Sequence, residues 1–386
     1  MQGNAKCDTE SFMAEFDAPG LLNLLADGAY ITNRDRQIVF WNPAAQRITG
    51  WTSAEVVGRT CYDNILVHVD KDGHALCGHE HCPLHRSIIA GQPSTEPLLV
   101  YARHRTGSRI PVEVTVAPLR SRDGAVIGGI EMFRDLSESM QDQLRAQEIQ
   151  ALAVGCALPV DPRVAIEMRY QPRDIVGGDF YRVEPLGADR YGLLVADATG
   201  HGVAAALYTL LLRSLWEEHR SDLETPARFM EVLNQRVQSL MREGPHFGTA
   251  VYAVYDAAQG ELRLVRAGHP APLLFRAHGT VEYLGQTNPA LGIFPNARYL
   301  ETVLELAVGD ALLLYTDGAT ELFDVGDHEL GLEGLQQLVR AQSVAGQGGD
   351  FRLDQLEEQL LRFSNEVHLP DDLTLVKLCR LRSCAA

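Results

Sequence analysis

Four aspartate sites lie at the ends of apolar segments in the second half of the chain. Asp179 follows a glycine pair, Asp197 ends the run "YGLLVAD", Asp317 follows "DALLLYT", and Asp371-Asp372 opens "DDLTLVKL". A carboxylate near an apolar core is costly unless it is paired or binds a cation. Taken singly, each aspartate is typical of a turn or a helix N-cap. Their recurrence at four strand ends instead indicates one shared cation site.

Oxygen ligands of this kind favour hard divalent cations. Mg²⁺ and Mn²⁺ prefer carboxylate, carbonyl and water oxygens. Two such ions about 3.5–4 Å apart can lower the pKa of a water between them and so produce a nucleophile at neutral pH. The glycines in "VGGDF" and "ATGHGV" would let backbone atoms approach the ions and a phosphate. Because no cysteine and histidine set accompanies the aspartates, zinc is a poor candidate for this site.

The composition of the chain indicates which class of protein positions these residues. Its 386 residues are 46% hydrophobic and 22% charged, which is typical of a globular protein of two or three domains. A net charge of −17 disfavours nucleic acid and anionic membranes as partners. The sequence has neither an apolar run of membrane-spanning length nor a signal peptide, so we expect a cytoplasmic protein. Seven cysteines in such a chain argue against a disulfide framework.

After Pro159, strand-like and helix-like segments come in blocks rather than in strict alternation. This order favours an α+β fold over a doubly wound parallel sheet. Strands are predicted at 164–171, 179–186, 190–197, 248–256, 261–266, 272–276, 311–316 and 373–380, and helices at about 202–219, 226–242, 331–342 and 352–365.

The N-terminal part has a different pattern. A short helix and two strands are predicted over 21–40, and a hairpin is predicted around the turn Asp123-Gly124. Between them, "VFWNPAAQRITGWTSAEVVGR" and the later "MFRDLSE" follow in order. These motifs resemble a PAS sensor domain over about residues 17–135. The resemblance implies a small antiparallel sheet with helices on one face.

The second half carries a longer series of motifs. It reads "AQEIQ", "RYQPRDIVGGDFYRV", "YGLLVADATGHGVAAAL", "GTAVYAVYD", "LVRAGHPAPLLF", "GDALLLYTDGATELFD" and "DDLTLVKL" in that order. Over about residues 145–381 it resembles the SpoIIE/RsbU-type branch of the PPM family of metal-dependent serine/threonine phosphatases. The resemblance implies an α-β-β-α sandwich, two Mn²⁺ or Mg²⁺ ions, and a phosphoprotein substrate.

The resemblance also assigns roles to residues. Asp197 would bridge both metals, with the carbonyl of Ala198 as a further ligand. Asp179 would hold one metal, and Asp317 and Asp371 would hold the other. Asp371 is preferred over its neighbour because it lies three residues before Thr374, as in the closing Asp-x-x-Thr pattern of the family.

Two nearby residues allow more than one interpretation. His201, in the glycine loop beyond Asp197, is either a general acid for the leaving serine oxygen or a residue that orients the loop backbone. Arg182 stands where the family commonly has aspartate, and it either binds phosphate or is a solvated strand residue.

Two other functions compete with a phosphatase for the same residues. "VGGDF" suggests a diguanylate cyclase of the GGDEF class, but it lacks the further acidic residue, and Asp317 and Asp371 would stay unexplained. A catalytically inactive binding module is the alternative to an enzyme. By resemblance, the expected substrate is a phosphorylated anti-sigma-factor antagonist of the STAS fold.

The segment "CYDNILVHVDKDGHALCGHEHCPLHR" (61–86) is unusual for a sensor domain. Its cysteines Cys61, Cys77 and Cys82 have no standard zinc-finger spacing. Three interpretations stay open: buried structural thiols, a zinc or iron–sulfur site that adds His85, and a thiol redox switch. Haem, flavin or a small metabolite is an equally open choice of sensor ligand.

Residues 136–158 are predicted to form a helical linker between a sensor domain at 17–135 and a phosphatase domain at 159–382. Leu136, Met140, Leu144 and Leu152 recur at roughly helical spacing. The linker is either a passive connector or a short coiled coil that makes the protein a homodimer.

Overall fold

The computed structural model describes residues 17–78, 81–200, 202–240, 248–342, 350–365 and 369–382. The chain divides into two compact units, Met1–Asp142 and Gln143–Ala386. Within the described ranges, every helix is too short or too polar to cross a lipid bilayer.

The first unit is built on a five-stranded antiparallel sheet with the strand order β2-β1-β5-β4-β3. Asn42 explains the Asn-Pro-Ala motif, because its side chain accepts hydrogen bonds from the backbone N–H groups of Ala29 and Ala45 at 2.9 and 2.7 Å and so ties a helix start to a strand. The predicted hairpin turn holds Gly124 at φ 84°, a conformation that favours glycine. The elements are α1 (Ala18–Leu24), β1 (Gly28–Asn33), β2 (Ile38–Trp41), α2 (Pro43–Thr49), α3 (Ser53–Val56), α4 (Pro83–Ala90), β3 (Leu98–Arg103), β4 (Arg109–Arg120) and β5 (Val126–Asp135).

Helix α5 (Ser137–Val154) follows directly, in a stretch without glycine or proline. The side chain of Asp135 accepts a hydrogen bond from the N–H of Ser137 at 2.8 Å, which satisfies one of the free donors of the first turn. Leu144 and Leu152 are 47% and 86% exposed, so this chain alone leaves part of the apolar side of the helix uncovered.

The second unit contains two sheets. One has the order β13-β10-β9-β8-β7, with β14 also paired to β10, and the other has the order β12-β11-β15-β16-β6. Among the strands of the described residues, all pairs are antiparallel except that of β10 with β13. The strands are β6 (Val164–Gln171), β7 (Asp179–Pro185), β8 (Arg190–Ala198), β9 (Gly248–Asp256), β10 (Glu261–Ala267), β11 (Leu273–Phe275), β12 (Val281–Tyr283), β13 (Thr287–Asn288), β14 (Thr302–Glu305), β15 (Ala311–Tyr315) and β16 (Leu373–Arg380).

Helices cover the outer face of each sheet. One core joins the inner faces of both sheets and extends to α6 (Val203–Glu218) and α7 (Pro226–Leu240). A second core lies between the other sheet and α8 (Gly331–Gln342) and α9 (Leu353–Ser364). The layers are therefore helix, sheet, sheet and helix, which confirms the α+β sandwich expected from the resemblance.

Candidate functional site

The strand register brings the predicted aspartates to one end of the sandwich. Asp179 begins β7 and lies directly opposite Asp197, the residue before the last of β8. In the other sheet, Asp317 starts a single 3₁₀ turn just after β15. Asp371 comes two residues before β16, which pairs with β15. All four sites therefore lie where neighbouring strands start or stop.

Hydroxyl groups link the two sheets at this end. The buried carboxylate of Asp179 accepts hydrogen bonds from the Oγ1 atoms of Thr316 at 2.8 Å and Thr374 at 2.6 Å. Thr316 Oγ1 also accepts the backbone N–H of Thr374 at 2.9 Å. Because Thr316 directly follows β15 and Thr374 lies in β16, these bonds hold Asp179 against the end of the second sheet at which Asp317 and Asp371 lie.

The adjacent Asp371 and Asp372 have different environments. Asp372 is buried, and its two carboxylate oxygens accept the backbone N–H groups of Arg173 at 2.7 Å and Gly178 at 2.5 Å. Its carboxylate therefore holds the loop between β6 and β7. Asp371 is exposed, and its Oδ1 accepts the N–H of Asp372 at 2.8 Å. Of the pair, Asp371 has the carboxylate with room for a cation.

Two glycines permit close backbone contacts at the site. A Cβ at Gly318 would lie 2.1 Å from the carbonyl oxygen of Asp372, so any larger residue would separate the two chain segments. A Cβ at Gly178 would lie 3.3 Å from the carbonyl oxygen of Ala198, the predicted backbone ligand, and 3.0 Å from Cβ of Ala205. A side chain at Gly318 would therefore force the backbone apart, whereas at Gly178 the fit would be tight.

The carboxylates repel one another. Burial, followed by the charges of Asp317 and Asp371, raises the pKa of Asp197 to about 8. Burial followed by the charge of Asp371 raises the pKa of Asp317 to about 6. The pKa of Asp179 is held well above its ordinary value by burial and by Asp197. In the described part of the chain, no ion pair involves these carboxylates, so no basic side chain offsets their negative charge.

The candidate ligand atoms of the site favour hard cations, which prefer oxygen ligands, over a single soft metal ion. All candidate side-chain donors are carboxylates, as Mg²⁺ and Mn²⁺ prefer. Among the described residues, the one group of three ligand atoms within 4.8 Å of each other lies elsewhere, at Asp70, Asp72 and His74. A centre for two ions spreads its ligands over both, so its carboxylates need not meet within reach of one ion.

Two residues near the site, Gln150 and Glu321, are not among those predicted from the sequence. Gln150, in α5, donates from Nε2 to the carbonyl oxygen of Gly177 at 2.7 Å, and its Oε1 accepts the N–H of Gly177 at 3.2 Å. Nothing in the helix pattern distinguishes it from other glutamines. Glu321 adds to the acidic charge felt by Asp197 and Asp317. Its position four residues after Asp317 is a sequence signal from which it could have been predicted.

His201 and Arg182 are the other two residues predicted near the metal site. His201, the candidate general acid, lies outside the described residues. Arg182 lies three positions along β7 from Asp179, and therefore on the opposite face of the strand. It pairs with Glu184 at 2.9 Å and Glu217 at 3.8 Å, and its side chain is only 12% exposed. Neither of its predicted roles fits, since it is an ion-paired residue of the outer face.

Two families match the chain. Residues 187–381, about half of the sequence, match the family described as Stage II sporulation protein E (SpoIIE), and residues 22–141 match a PAS fold. The phosphoserine phosphatase RsbP of Bacillus subtilis is 32% identical over 42% of this chain and 41% of its own length. The phosphoserine phosphatase RsbU of the same organism is 22% identical over 65% of this chain and 73% of its own. The chain thus spans about two fifths of RsbP.

Two solved structures share the fold of the second unit. The SiaA-PP2C domain of Pseudomonas aeruginosa superposes with a TM-score of 0.53 at 24% identity, covering 64% of this chain and 98% of that domain. The RsbU and RsbW domains of Rv1364c from Mycobacterium tuberculosis superpose with a TM-score of 0.50 at 27% identity, covering 59% and 63%. The chain has a PAS fold before its sandwich, and it belongs to the SpoIIE family.

Proposed function

We propose that this protein is a metal-dependent protein serine/threonine phosphatase controlled by its PAS domain. The observation that carries the proposal is the meeting of four acidic sites from two sheets, fixed by the hydrogen bonds of Asp179 to Thr316 and Thr374. The names of RsbP and RsbU as phosphoserine phosphatases support the same activity.

Two Mn²⁺ or Mg²⁺ ions are the expected cofactors. Asp197 would contact both ions, with the Ala198 carbonyl beside it. Asp179 would serve one ion, and Asp317 and Asp371 the other. When bound, the ions supply Lewis acidity and an activated water for attack on phosphorus. The chain's own part is to hold the carboxylates: the threonine hydroxyls orient Asp179, and the backbone approach at Gly318 keeps the second sheet in place.

The proposed substrate is a phosphorylated anti-sigma-factor antagonist with a STAS fold, in a partner-switching pathway. Support comes from the family and from the likeness to RsbU and RsbP. A cytoplasmic location agrees with the free thiols of the five described cysteines, Cys61, Cys77, Cys82, Cys156 and Cys379.

We assign residues 17–135 to the sensor, 136–158 to the linker and 159–382 to the phosphatase domain. The linker would also join two copies of the chain. The exposed apolar side chains of Leu144 and Leu152 on α5 support a dimer seam, since such residues in a helix favour burial against a partner.

The test is turnover of a phosphoserine peptide and of purified phospho-antagonists, with and without Mn²⁺. The wild-type protein should require the metal, and Asp197→Asn should reduce turnover by orders of magnitude while leaving the circular dichroism spectrum unchanged. Glu184→Gln, on the outer face, is the matched control and should stay active. Activity that survives EDTA would contradict the metal role. Binding of phospho-antagonists without hydrolysis would favour the inactive binding module.

A further inference from the structure

A tyrosine hydroxyl beside the acidic cluster has no hydrogen-bond partner. The hydroxyl oxygen of Tyr170, in β6, is buried, and no group in the described part of the chain donates to it or accepts from it. Leaving a buried polar atom unpaired costs about 1–3 kcal/mol. Native proteins keep few such groups, and a bound water or ion is a common reason for them. The surroundings of this hydroxyl therefore indicate what it serves.

The strand register places Tyr170 next to Asp179. Tyr170 lies directly opposite Thr374 in the antiparallel pair of β6 and β16, so both side chains lie on the same face of the sheet. That face meets the other sheet, because Thr374 Oγ1 donates to the carboxylate of Asp179 at 2.6 Å. The ring of Tyr170 packs against Tyr181, with ring centroids 5.4 Å apart. Tyr181 comes two residues after Asp179 and lies on the same face of β7.

The loop before β7 shows where the hydroxyl group lies. A Cβ on Gly177 would lie 2.4 Å from the hydroxyl oxygen of Tyr170 and 2.9 Å from Oδ2 of Asp372. The hydroxyl is therefore held against the loop that leads to Asp179, with the buried carboxylate of Asp372 nearby.

The neighbouring carboxylates are satisfied without this hydroxyl. Both oxygens of Asp372 accept backbone N–H groups, and the carboxylate of Asp179 accepts two threonine hydroxyls. Tyr170 is thus a polar group at the proposed metal centre that the protein itself leaves unused.

We infer that Tyr170 is a positioning residue of the metal centre, whose hydroxyl oxygen accepts a hydrogen bond from a water bound to the ion that Asp179 holds. This inference rests on the proposed phosphatase function and its two ions. Mg²⁺ usually keeps several waters in protein sites, and a divalent cation makes its bound water more acidic and therefore a stronger donor. A phenolic oxygen can accept such a bond. Hydrogen bonds to the immediate surroundings of a metal commonly change its affinity 10–100-fold.

Replacement of Tyr170 by phenylalanine separates this role from simple packing. Phenylalanine keeps a ring against Tyr181 and removes only the unpaired hydroxyl. If Tyr170 merely fills space, the variant should bind metal as the wild-type protein does. If the hydroxyl positions a metal-bound water, the variant should bind metal more weakly, although the metal-free protein stays at least as stable.

The test is Mn²⁺ binding by the full chain without substrate, in a titration that follows the electron paramagnetic resonance signal of free Mn²⁺. Tyr170→Phe should bind one of its ions about tenfold more weakly than the wild-type protein. Its unfolding temperature in EDTA should be unchanged or raised.

Tyr255→Phe is the matched control. Tyr255 is fully buried, and its hydroxyl also lacks a partner. It lies near the far end of β9 from Thr249, the residue opposite Asp197. Tyr255→Phe should therefore bind Mn²⁺ like the wild-type protein.

Turnover gives a second readout. Saturating Mn²⁺ should restore most of the turnover of Tyr170→Phe, with a substrate KM close to that of the wild-type protein. Equal Mn²⁺ affinities of Tyr170→Phe and the wild-type protein would overturn the inference. A lower unfolding temperature of Tyr170→Phe in EDTA would also overturn it, in favour of a structural role. A wild-type protein that binds Mn²⁺ but hydrolyses no phosphoserine would contradict the proposed function alone, since the binding comparison needs no turnover.

Discussion

Replacing Gln150 by leucine should weaken metal binding as well as the fold. Gln150 is 5% exposed and makes two hydrogen bonds to the backbone of Gly177, two residues before Asp179. Its Nε2 also donates to Thr209 Oγ1 at 3.0 Å. Leucine fills a similar volume but leaves the N–H and the C=O of Gly177 without partners.

The magnitude follows from these bonds. Each buried group that loses its partner costs about 1–3 kcal/mol. The loop can relax so that these groups find new partners, which recovers part of the lost free energy. The relaxed loop, however, displaces Asp179. If about 1.4 kcal/mol falls on the metal-binding conformation, the apparent Mn²⁺ affinity drops about tenfold. Saturating Mn²⁺ should then restore most of the turnover.

The assay is a Mn²⁺ titration of turnover, with thermal unfolding measured in EDTA. Gln147→Leu, at an exposed position of the same helix, is the matched control. An unchanged Mn²⁺ dependence in Gln150→Leu would refute the reasoning. A change in the substrate KM alone would instead point to steric control of substrate access.

Two further predictions concern the carboxylates and the linker. The folded-state pKa of Asp197 is about 8 against an ordinary 3.8, so the folded protein holds a proton that the unfolded chain releases between these values. In EDTA, the free energy of unfolding should therefore fall as pH rises from about 4 to about 8, by at most about 1.4 kcal/mol per unit, and Asp197→Asn should flatten the slope. Leu144→Glu combined with Leu152→Glu should halve the mass measured by light scattering if the linker joins two chains, whereas an unchanged mass would leave it a passive connector.

Much of the fold could be predicted because its strands are long and apolar. The predicted strands at 164–171, 248–256 and 373–380 coincide with β6, β9 and β16. The structure adds β12, β13 and β14, which have two to four residues each, too few for a periodic pattern to identify them in the sequence. Such short strands exist because neighbouring strands offer them backbone partners, and that information is not local to their sequence.

The site was partly predictable for a similar reason. Carboxylates at strand ends carry a local signal, since each one interrupts an apolar run. Gln150 carries none, because its importance comes from a backbone 27 residues away in sequence. The sensor domain shows the same limit of sequence-based prediction. Cys61, Cys77 and Cys82 could be singled out from the sequence, but the contact of His68 with Glu131 depends on pairing across the fold.

The roles of Asp371 and Asp372 show how neighbouring identical residues come to differ. Successive side chains in an extended chain point to opposite sides. One carboxylate therefore faces the loop before β7 and is satisfied by its N–H groups, and the other faces the acidic cluster. Loss of Asp372 would release the loop that carries Gly178 and, next to it, Asp179. In the proposed metal centre, Asp371 would act through its exposed oxygens and Asp372 through the backbone that it holds.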